Sequence, residues 1–242
     1  MEQIRKLPTG IQSFEKLRTR GNLYVDKTSL IYQLVSTDVP YFLSRPRRFG
    51  KSLLVSTLEA YFEGRKDLFK GLAIEQLETE WEIYPVLHLD LNAKRYDSVK
   101  ALNAILNEHL EKWETLYGDE KRDRNPEERF KYVIERAYEK TQKPVVVLVD
   151  EYDKPLLANL DNEELSTDLR SALKAFYGAL KSTDEYLRFI FITGVTKFAQ
   201  VSVFSDLNQL TDISMEEPYA TLCGITQDEL VQTFQPEIEV LA

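Results

Sequence analysis

The fold of this chain is decided at residues 39–54, which read Val39-Pro40-Tyr41-Phe42-Leu43-Ser44-Arg45-Pro46-Arg47-Arg48-Phe49-Gly50-Lys51-Ser52-Leu53-Leu54. The first part is an apolar run with residues that favour strands, which predicts a buried strand. From Ser52 to Phe62 the apolar side chains recur at helical spacing, which predicts a helix. The stretch is therefore a strand, a turn and a helix.

The turn between these elements contains the back half of a phosphate-binding loop. Such a loop needs backbone amides that point at a phosphate, a helix N-terminus that faces the anion, a lysine for the β- and γ-phosphates and a hydroxyl for Mg²⁺. Gly50, Lys51 and Ser52 supply the last three requirements. The alternative is a basic surface turn that contains Gly-Lys-Ser by chance, because so short a motif also occurs without a phosphate site.

The front half of the loop departs from the usual pattern. The first glycine of the common motif would fall at Arg45, which has a Cβ atom and resists a positive φ. Pro46 fixes its own φ and pushes Arg45 towards an extended conformation. We therefore expect this turn to be built differently from the common loop.

The bulk composition restricts the class of protein. The chain has 242 residues, of which 43% are hydrophobic and 29% charged, as in globular proteins that bury a sizeable core. Its net charge of −9 disfavours general nucleic-acid binding, which depends on neutralising phosphates. A single cysteine, Cys223, excludes an intramolecular disulfide. The sequence shows neither a signal peptide nor an apolar run of membrane-spanning length, so we expect a cytoplasmic protein.

A second informative stretch runs from Lys143 to Asp153. Its β-branched residues are typical of a central parallel strand that is covered on both faces. The strand ends in Asp150 and Glu151, and ligands of open α/β sheets bind at the carboxyl ends of strands. We expect Asp150 to hold Mg²⁺ and Glu151 to polarise an attacking water. The alternative is that the two acids only end the strand and cap the next segment.

The remaining pattern predicts further elements. Strands are expected near Val86–Asp90, Arg188–Thr193 and Leu210–Ser214, and helices over Ile11–Leu17, Lys100–Tyr117, from Asn125 to about Lys140 and from Asn162 to Lys181. Thr193 ends its strand and either contacts the γ-phosphate or its water, or has no role. Thr226-Gln227-Asp228-Glu229 reads as a capping box for a helix that has only begun at Ala242.

Five segments in this order resemble the AAA-ATPase-like family of bacterial proteins, in which the domain commonly precedes a PD-(D/E)XK nuclease-like domain. They are Tyr24–Thr28, Arg45–Ser52, Val149–Pro155, Phe191–Phe198 and Tyr219–Thr226. The segments span most of the chain, and an arginine in place of the first glycine is usual in this family.

The resemblance implies an α/β, three-layer P-loop NTPase fold with a mainly parallel sheet in the order 5-1-4-3-2 and helices on both faces. Strands 1 to 5 would be Val39–Ser44, Val86–Asp90, Val145–Asp150, Arg188–Thr193 and the segment near Leu210–Ser214. The domain would span residues 1–215, and residues 216–242 would begin a truncated C-terminal helical or lid segment.

The resemblance also implies roles for individual residues. Lys51 would bind the β- and γ-phosphates, Ser52 and Asp150 would serve Mg²⁺, Glu151 would be the catalytic base and Thr193 a sensor. Tyr24, Asp26 and Lys27 would lie near the adenine, and the phosphate loop would comprise Arg45, Pro46, Arg47, Arg48, Phe49, Gly50, Lys51, Ser52 and Leu53. No arginine finger is assignable, with Arg170, Arg188 and the loop arginines all candidates.

The leading hypothesis is an ATP-binding, Mg²⁺-dependent ATPase domain that regulates a nuclease-like module. Two alternatives stay open: a nucleotide-sensing scaffold that does not hydrolyse ATP, and a DNA-binding module that uses the basic face of the loop. We expect ATP as the ligand, a nuclease-like domain in the full gene and a homo-oligomer as further partners, no membrane, and nucleic acid only indirectly.

Overall fold

The computed structural model describes residues 6–92, 95–197, 200–205, 207 and 209–241. Phe198 and Ala242, which belong to predicted segments, lie outside the described residues. The chain divides into two compact units. We call residues 38–46 and 84–213 the sheet unit, and residues 6–37, 47–83 and 214–241 the helical unit. Each unit is described by itself.

The described residues form strands β1 (Tyr41–Ser44), β2 (Val86–Asp90), β3 (Val145–Asp150), β4 (Leu187–Gly194) and β5 (Thr211–Asp212). They form helices α1 (Phe14–Thr19), α2 (Thr28–Val35), α3 (Lys51–Phe62), α4 (Val99–Tyr117), α5 (Pro126–Thr141), α6 (Lys154–Leu157), α7 (Glu163–Ser182), α8 (Gln200–Val203) and α9 (Gln227–Leu241). Among the described residues, no helix combines the length and the apolar composition that crossing a lipid bilayer requires.

All strand pairs of the five-stranded sheet are parallel, and the order is β2-β3-β4-β1-β5. Counted from the other edge, this is the predicted order 5-1-4-3-2, so the predicted fold class is confirmed. The predicted bounds of β2 and β3 match those of the structure. The observed β1 begins two residues later than expected, at Tyr41, and β5 keeps only Thr211 and Asp212 of the predicted stretch.

Strand β3 is buried along its whole length, as its unbroken apolar sequence predicts. Val145, Val147 and Val149 belong to a continuous core with residues of α4, α5 and α7. The alternating residues Val146 and Leu148 point to the other face and are also fully buried. Both faces of this central strand are therefore covered.

Helices α4, α5 and α7 begin within one residue of their predicted starts at Lys100, Asn125 and Asn162. The Ser98 hydroxyl accepts from the Ala101 amide at 3.1 Å, and Asn162 Oδ1 accepts from the Leu165 amide at 3.1 Å. Pro126 occupies the first position of α5. Helices α5 and α7 pack through the stacked rings of Phe130 and Phe176, whose centroids are 4.4 Å apart.

In the helical unit, α1 differs from its predicted bounds of Ile11–Leu17. The helix begins at Phe14 because the Ser13 hydroxyl caps it, accepting from the Lys16 amide at 3.2 Å. Phe14 is fully buried and packs against the rings of Tyr24 and Phe69, at centroid distances of 5.3 and 4.9 Å. An aromatic cluster thus holds the segments before α2 and after α3 together.

We predict that Arg129→Met destabilises the protein by about 3–5 kcal/mol, because it leaves a carboxylate buried without its main partner. Arg129 Nε and Nη2 donate to the fully buried Glu114 carboxylate at 2.6 and 2.8 Å. Denaturant unfolding measures the loss. Arg124→Met, which removes an exposed ion pair, serves as the control and should leave the free energy of unfolding within about 0.5 kcal/mol.

Arg129→Met should also reverse the way in which the Glu114 carboxyl makes the free energy of unfolding depend on pH. Burial by itself raises the pKa of Glu114, but hydrogen bonds from Arg129 and Arg122 outweigh it and hold the pKa below its usual value. The native pair therefore contributes stability above the carboxyl's unfolded pKa, and this contribution is lost as the pH falls. An acid-induced loss that is as steep in Arg129→Met as in the wild type would contradict this assignment.

Candidate functional site

The carboxyl ends of β3, β4 and β1 meet at one edge of the sheet. Ser44 pairs with Gly194 and Val149 pairs with Ile192. Ser44 and Asp150 are the last residues of their strands, and Thr193 is the last residue but one of β4. The loop of residues 45–50 leaves β1 at this edge. Open parallel sheets bind their ligands here.

The Thr193 hydroxyl joins two of the predicted site residues. It donates to Asp150 Oδ1 at 2.6 Å and accepts from the Glu151 amide at 3.3 Å. Thr193 is fully buried, and Asp150 and Glu151 are 3% and 8% exposed. This burial strengthens the hydrogen bonds and would strengthen any interaction of the carboxylates with a cation.

The backbone of Glu151 has a left-handed conformation, with φ of 57°. Such a φ is uncommon for a residue with a Cβ atom and persists only where the surroundings enforce it. The next amide, of Tyr152, donates to the Thr193 carbonyl at 2.9 Å. Thr193 therefore holds three consecutive residues at the end of β3.

The phosphate-loop residues have the unusual backbone that the sequence predicts. The two positive φ angles fall at Arg48 (67°) and Gly50 (90°), and Arg45 has none. The Arg45 amide instead continues the pairing of β1, donating to the Gly194 carbonyl at 3.2 Å. The absent first glycine is explained, because the left-handed turn lies three residues further on.

Helix α3 begins directly after this turn. Its first intrahelical hydrogen bond runs from the Leu54 amide to the Gly50 carbonyl at 2.9 Å, so the amides of Ser52 and Leu53 precede the helical ladder. The macrodipole of this 12-residue helix adds partial positive charge at the same end. Lys51, at the first helical position, is only 3% exposed. This end of the helix suits an anion.

A cavity of about 270 Å³ lies next to this turn, within the helical unit. Six predicted site residues line it: Tyr24, Lys27, Arg48, Phe49, Gly50 and Leu53. Most of the other lining side chains are apolar. They come from the N-terminal segments of residues 8 and 23–25, from α1, α2 and α3, and from the C-terminal segment of residues 222–234. A mainly apolar cavity with a few polar groups is typical of a small-molecule site.

Asp26, unlike Tyr24 and Lys27, is not among the residues that line this cavity. Its Oδ1 accepts from the Thr28 amide and hydroxyl at 2.8 and 2.6 Å, and its Oδ2 accepts from the Ala73 amide at 2.7 Å. Asp26 thus holds the first residue of α2 and ties it to the segment after α3. Its contact with a nucleotide stays a prediction, as do the nucleotide contacts of Arg45, Pro46 and Arg47.

The C-terminal segment is attached to the cavity at two points. The Gly224 amide donates to the Phe49 carbonyl at 3.0 Å, and Lys27 forms an ion pair with Glu229. Burial raises the pKa of Glu229, but the bonds from Lys27 and from the Thr226 amide outweigh it and hold the pKa below its usual range. The Glu229 amide donates in turn to the Thr226 hydroxyl at 3.2 Å, so the predicted capping box is confirmed.

Two features of the site were not predicted from the sequence. Asp153 and Thr196 are hydrogen-bonded to each other beside the predicted catalytic residues, and Leu222, Cys223 and Gly224 line the cavity. The signal for Asp153 was its place three residues after Asp150 in an acidic cluster. Arg188, one candidate for an arginine finger, lies at the amino end of β4 and is bound to Asp38 at 2.7 Å. It is thus near the opposite edge of the sheet from Thr193.

Comparisons with known proteins give the family of this chain. A family model described as "Predicted AAA-ATPase" matches residues 8–204. An "Uncharacterized protein in vnfD 5'region" from Azotobacter chroococcum mcd 1 is 40% identical over 238 residues, which are 97% of this chain. The chain spans 46% of the length of that relative. No solved structure matches.

We predict opposite effects for alanine at two glycines that both have open space around the position of a Cβ atom. Gly50→Ala should destabilise the protein by about 1–2 kcal/mol, because φ at this residue is +90°. Gly178→Ala, inside α7, should stabilise it by about 0.5–1 kcal/mol. Denaturant unfolding of both variants measures the difference. Equal effects would show that the loop does not need its left-handed glycine.

Proposed function

We propose, because this chain belongs to the predicted AAA-ATPase family, that it binds ATP and hydrolyses it with the help of Mg²⁺. One observation carries the proposal: the loop of residues 45–50 leaves β1 at the sheet edge where Asp150 and Thr193 are joined by a buried hydrogen bond of 2.6 Å. A phosphate loop and a strand-end acid at one edge are the combination that NTP hydrolysis uses.

The phosphates are proposed to bind at the start of α3. The turn at Arg48 and Gly50 brings the chain into this helix, and the amides of Ser52 and Leu53 precede the helical ladder. The Lys51 ammonium would neutralise the β- and γ-phosphates. Arg47 and Arg48 are exposed on the same loop and add positive charge to a chain that is acidic overall.

The adenine is proposed to bind in the cavity of the helical unit. Its volume of about 270 Å³ lies near the lower end of ligand pockets and suits a base rather than a whole nucleotide. Tyr24 and Phe49 contribute aromatic surface, and Leu53 contributes aliphatic surface. A mainly apolar lining favours the neutral base over the charged parts of the ligand.

Asp150 and Ser52 are proposed as the ligands of Mg²⁺. Asp150 provides a carboxylate and Ser52 a hydroxyl, and hard oxygen donors of this kind are the ones that Mg²⁺ prefers. One oxygen of Asp150 already accepts from Thr193, which orients the carboxylate. When bound, the ion would neutralise the negative charge of the phosphates.

Glu151 is proposed as the general base. Its carboxylate would accept a proton from the attacking water, and its backbone is held by the Thr193 hydroxyl at 3.3 Å. Thr193 is proposed to sense the γ-phosphate through Asp150, to whose carboxylate its hydroxyl donates. Regulation of a nuclease-like module belongs to the same proposal and is taken from the family resemblance alone.

ATP binding should depend on Lys51. We expect saturating Mg-ATP, at about 100 times Kd, to stabilise the wild type by about 2.7 kcal/mol, and we expect Lys51→Ala to lose most of this gain. Thermal shift measures it, and the exposed Lys66→Ala is the matched control that should keep the full shift. No shift of the wild type at millimolar ATP would contradict the binding claim.

Hydrolysis should depend on Glu151. We expect Glu151→Gln to lower the rate of phosphate release about 100-fold or more while ATP binding is kept, because the amide cannot accept the proton. Glu164→Gln, on the exposed face of α7, is the control. Turnover that is equal in Glu151→Gln and the wild type would favour the nucleotide-sensing scaffold instead.

A further inference from the structure

Asp153 is a buried carboxylate to which the proposed reaction gives no role. It is 1% exposed and lies two residues after Glu151. Its Oδ2 accepts from the amides of Val195 and Thr196, at 3.0 and 2.8 Å, and from the Thr196 hydroxyl at 3.0 Å. All three donors come from the loop that follows β4.

Tyr152 reaches the same loop. Its hydroxyl donates to the Thr196 carbonyl at 3.1 Å, and its ring lies against Gly194. A Cβ atom added at Gly194 would lie 2.4 Å from the Tyr152 ring, so only glycine fits there. The Tyr152 ring therefore packs directly against the backbone at the end of β4.

Together, the residues 150–153 and 193–196 form what we call the two-loop clasp. Its hydrogen bonds are Thr193 Oγ1 to Asp150, Glu151 N to Thr193 Oγ1, Tyr152 N to Thr193 O, Tyr152 OH to Thr196 O, and the three donors of Val195 and Thr196 to Asp153. These hydrogen bonds hold Asp150 before Glu151, and Tyr152 and Asp153 after it. Glu151 is therefore fixed by its neighbours on both sides along the chain.

Burying the Asp153 carboxylate in the clasp costs free energy. Burial raises the pKa of Asp153, and hydrogen bonds from Thr196 and Val195 offset only part of the effect. A neutral residue would avoid this cost, whereas a carboxylate can accept from several donors that converge. The left-handed backbone of Glu151 is a second cost within the same eight residues. Strain and buried charge of this kind are concentrated at functional sites.

We infer that Asp153 is a positioning residue that holds the Glu151 backbone in its left-handed conformation by tying it to the loop after β4. The catalytic part of this inference rests on the proposed role of Glu151 as general base. The clasp would then keep the Glu151 carboxylate and the Thr193 hydroxyl in one arrangement. Weakening it should impair the chemical step more than the binding of ATP.

The test compares four variants of the full chain. Thr196→Val removes one donor to Asp153 at constant size, and Thr196→Ser restores it. Asp153→Asn replaces one acceptor oxygen by an amide that would face the backbone donors. Thr183→Val is the matched control. It removes the hydroxyl donor of a different buried hydrogen bond in the sheet unit, from Thr183 to the Ala179 carbonyl at 2.9 Å.

Two measurements are made on each variant. Hydrogen exchange of the peptide that contains Glu151 and Tyr152 reports the clasp without requiring turnover. Phosphate release and ATP affinity separate kcat from binding. We expect Thr196→Val and Asp153→Asn to raise exchange at this peptide about tenfold and to lower kcat about tenfold at unchanged ATP affinity. Thr196→Ser should stay near the wild type, and Thr183→Val should change neither quantity.

Each outcome decides one claim. Wild-type exchange in both Thr196→Val and Asp153→Asn would overturn the inference, whether or not the protein hydrolyses ATP. Faster exchange with an unchanged kcat, where Glu151→Gln abolishes turnover, would also overturn it and leave the proposed function standing. If the wild type neither binds nor hydrolyses ATP, the proposed function fails, and faster exchange in the two variants would still support the backbone role of Asp153.

Discussion

The hydrogen bond from the Thr193 hydroxyl to Asp150 is the contact on which the site depends. It joins the ends of two neighbouring buried strands, at a distance of 2.6 Å and out of contact with water. A buried carboxylate without such a donor would be strongly disfavoured, and the threonine hydroxyl would lose its partner as well. The same hydroxyl also accepts from the Glu151 amide, so Thr193 holds both Asp150 and Glu151.

This contact explains why the strands must pair as they do. Val149 lies opposite Ile192, so Thr193 comes next to Asp150 only in the observed parallel register. A shift by one residue would turn the side chains of β4 to the opposite face and bury the wrong groups. The apolar residues of β3 and β4 secure the register, since both strands are buried on both faces. Core packing and site geometry are therefore specified by the same residues.

The cavity in the helical unit depends on the packing of distant segments rather than on strand pairing. It is lined by segments that are distant in sequence, from Pro8 to Phe234, and it is closed in part by contacts of Phe49 and Lys27 with the C-terminal segment. The Lys27–Glu229 pair is partly buried, which makes it more sensitive to the loss of one partner than a surface pair. The attachment of this segment thus depends on a specific charge pair as well as on apolar contact.

The residues themselves were sufficient for the class of fold, whereas the order of the strands came from the family resemblance. The reason is that the class of fold arises from local patterns, such as the apolar run Val145–Val149 of β3 and the cap at Asn162. The departure of Arg45 from the common loop pattern was also predictable, because a residue with a Cβ atom resists a positive φ wherever it occurs. Strand ends were less certain, since the length of β5 depends on what β1 offers for pairing.

Only the tertiary structure decided the clasp and the lining of the cavity. Asp153 and Thr196 are 43 residues apart, and nothing in either local pattern indicates that a carboxylate and three donors converge. Lys27 and Glu229 are 202 residues apart and meet in the same way. Local sequence determines backbone conformation and burial through propensity and periodicity, whereas the pairing of distant polar groups depends on how the elements pack, which no short window of sequence contains.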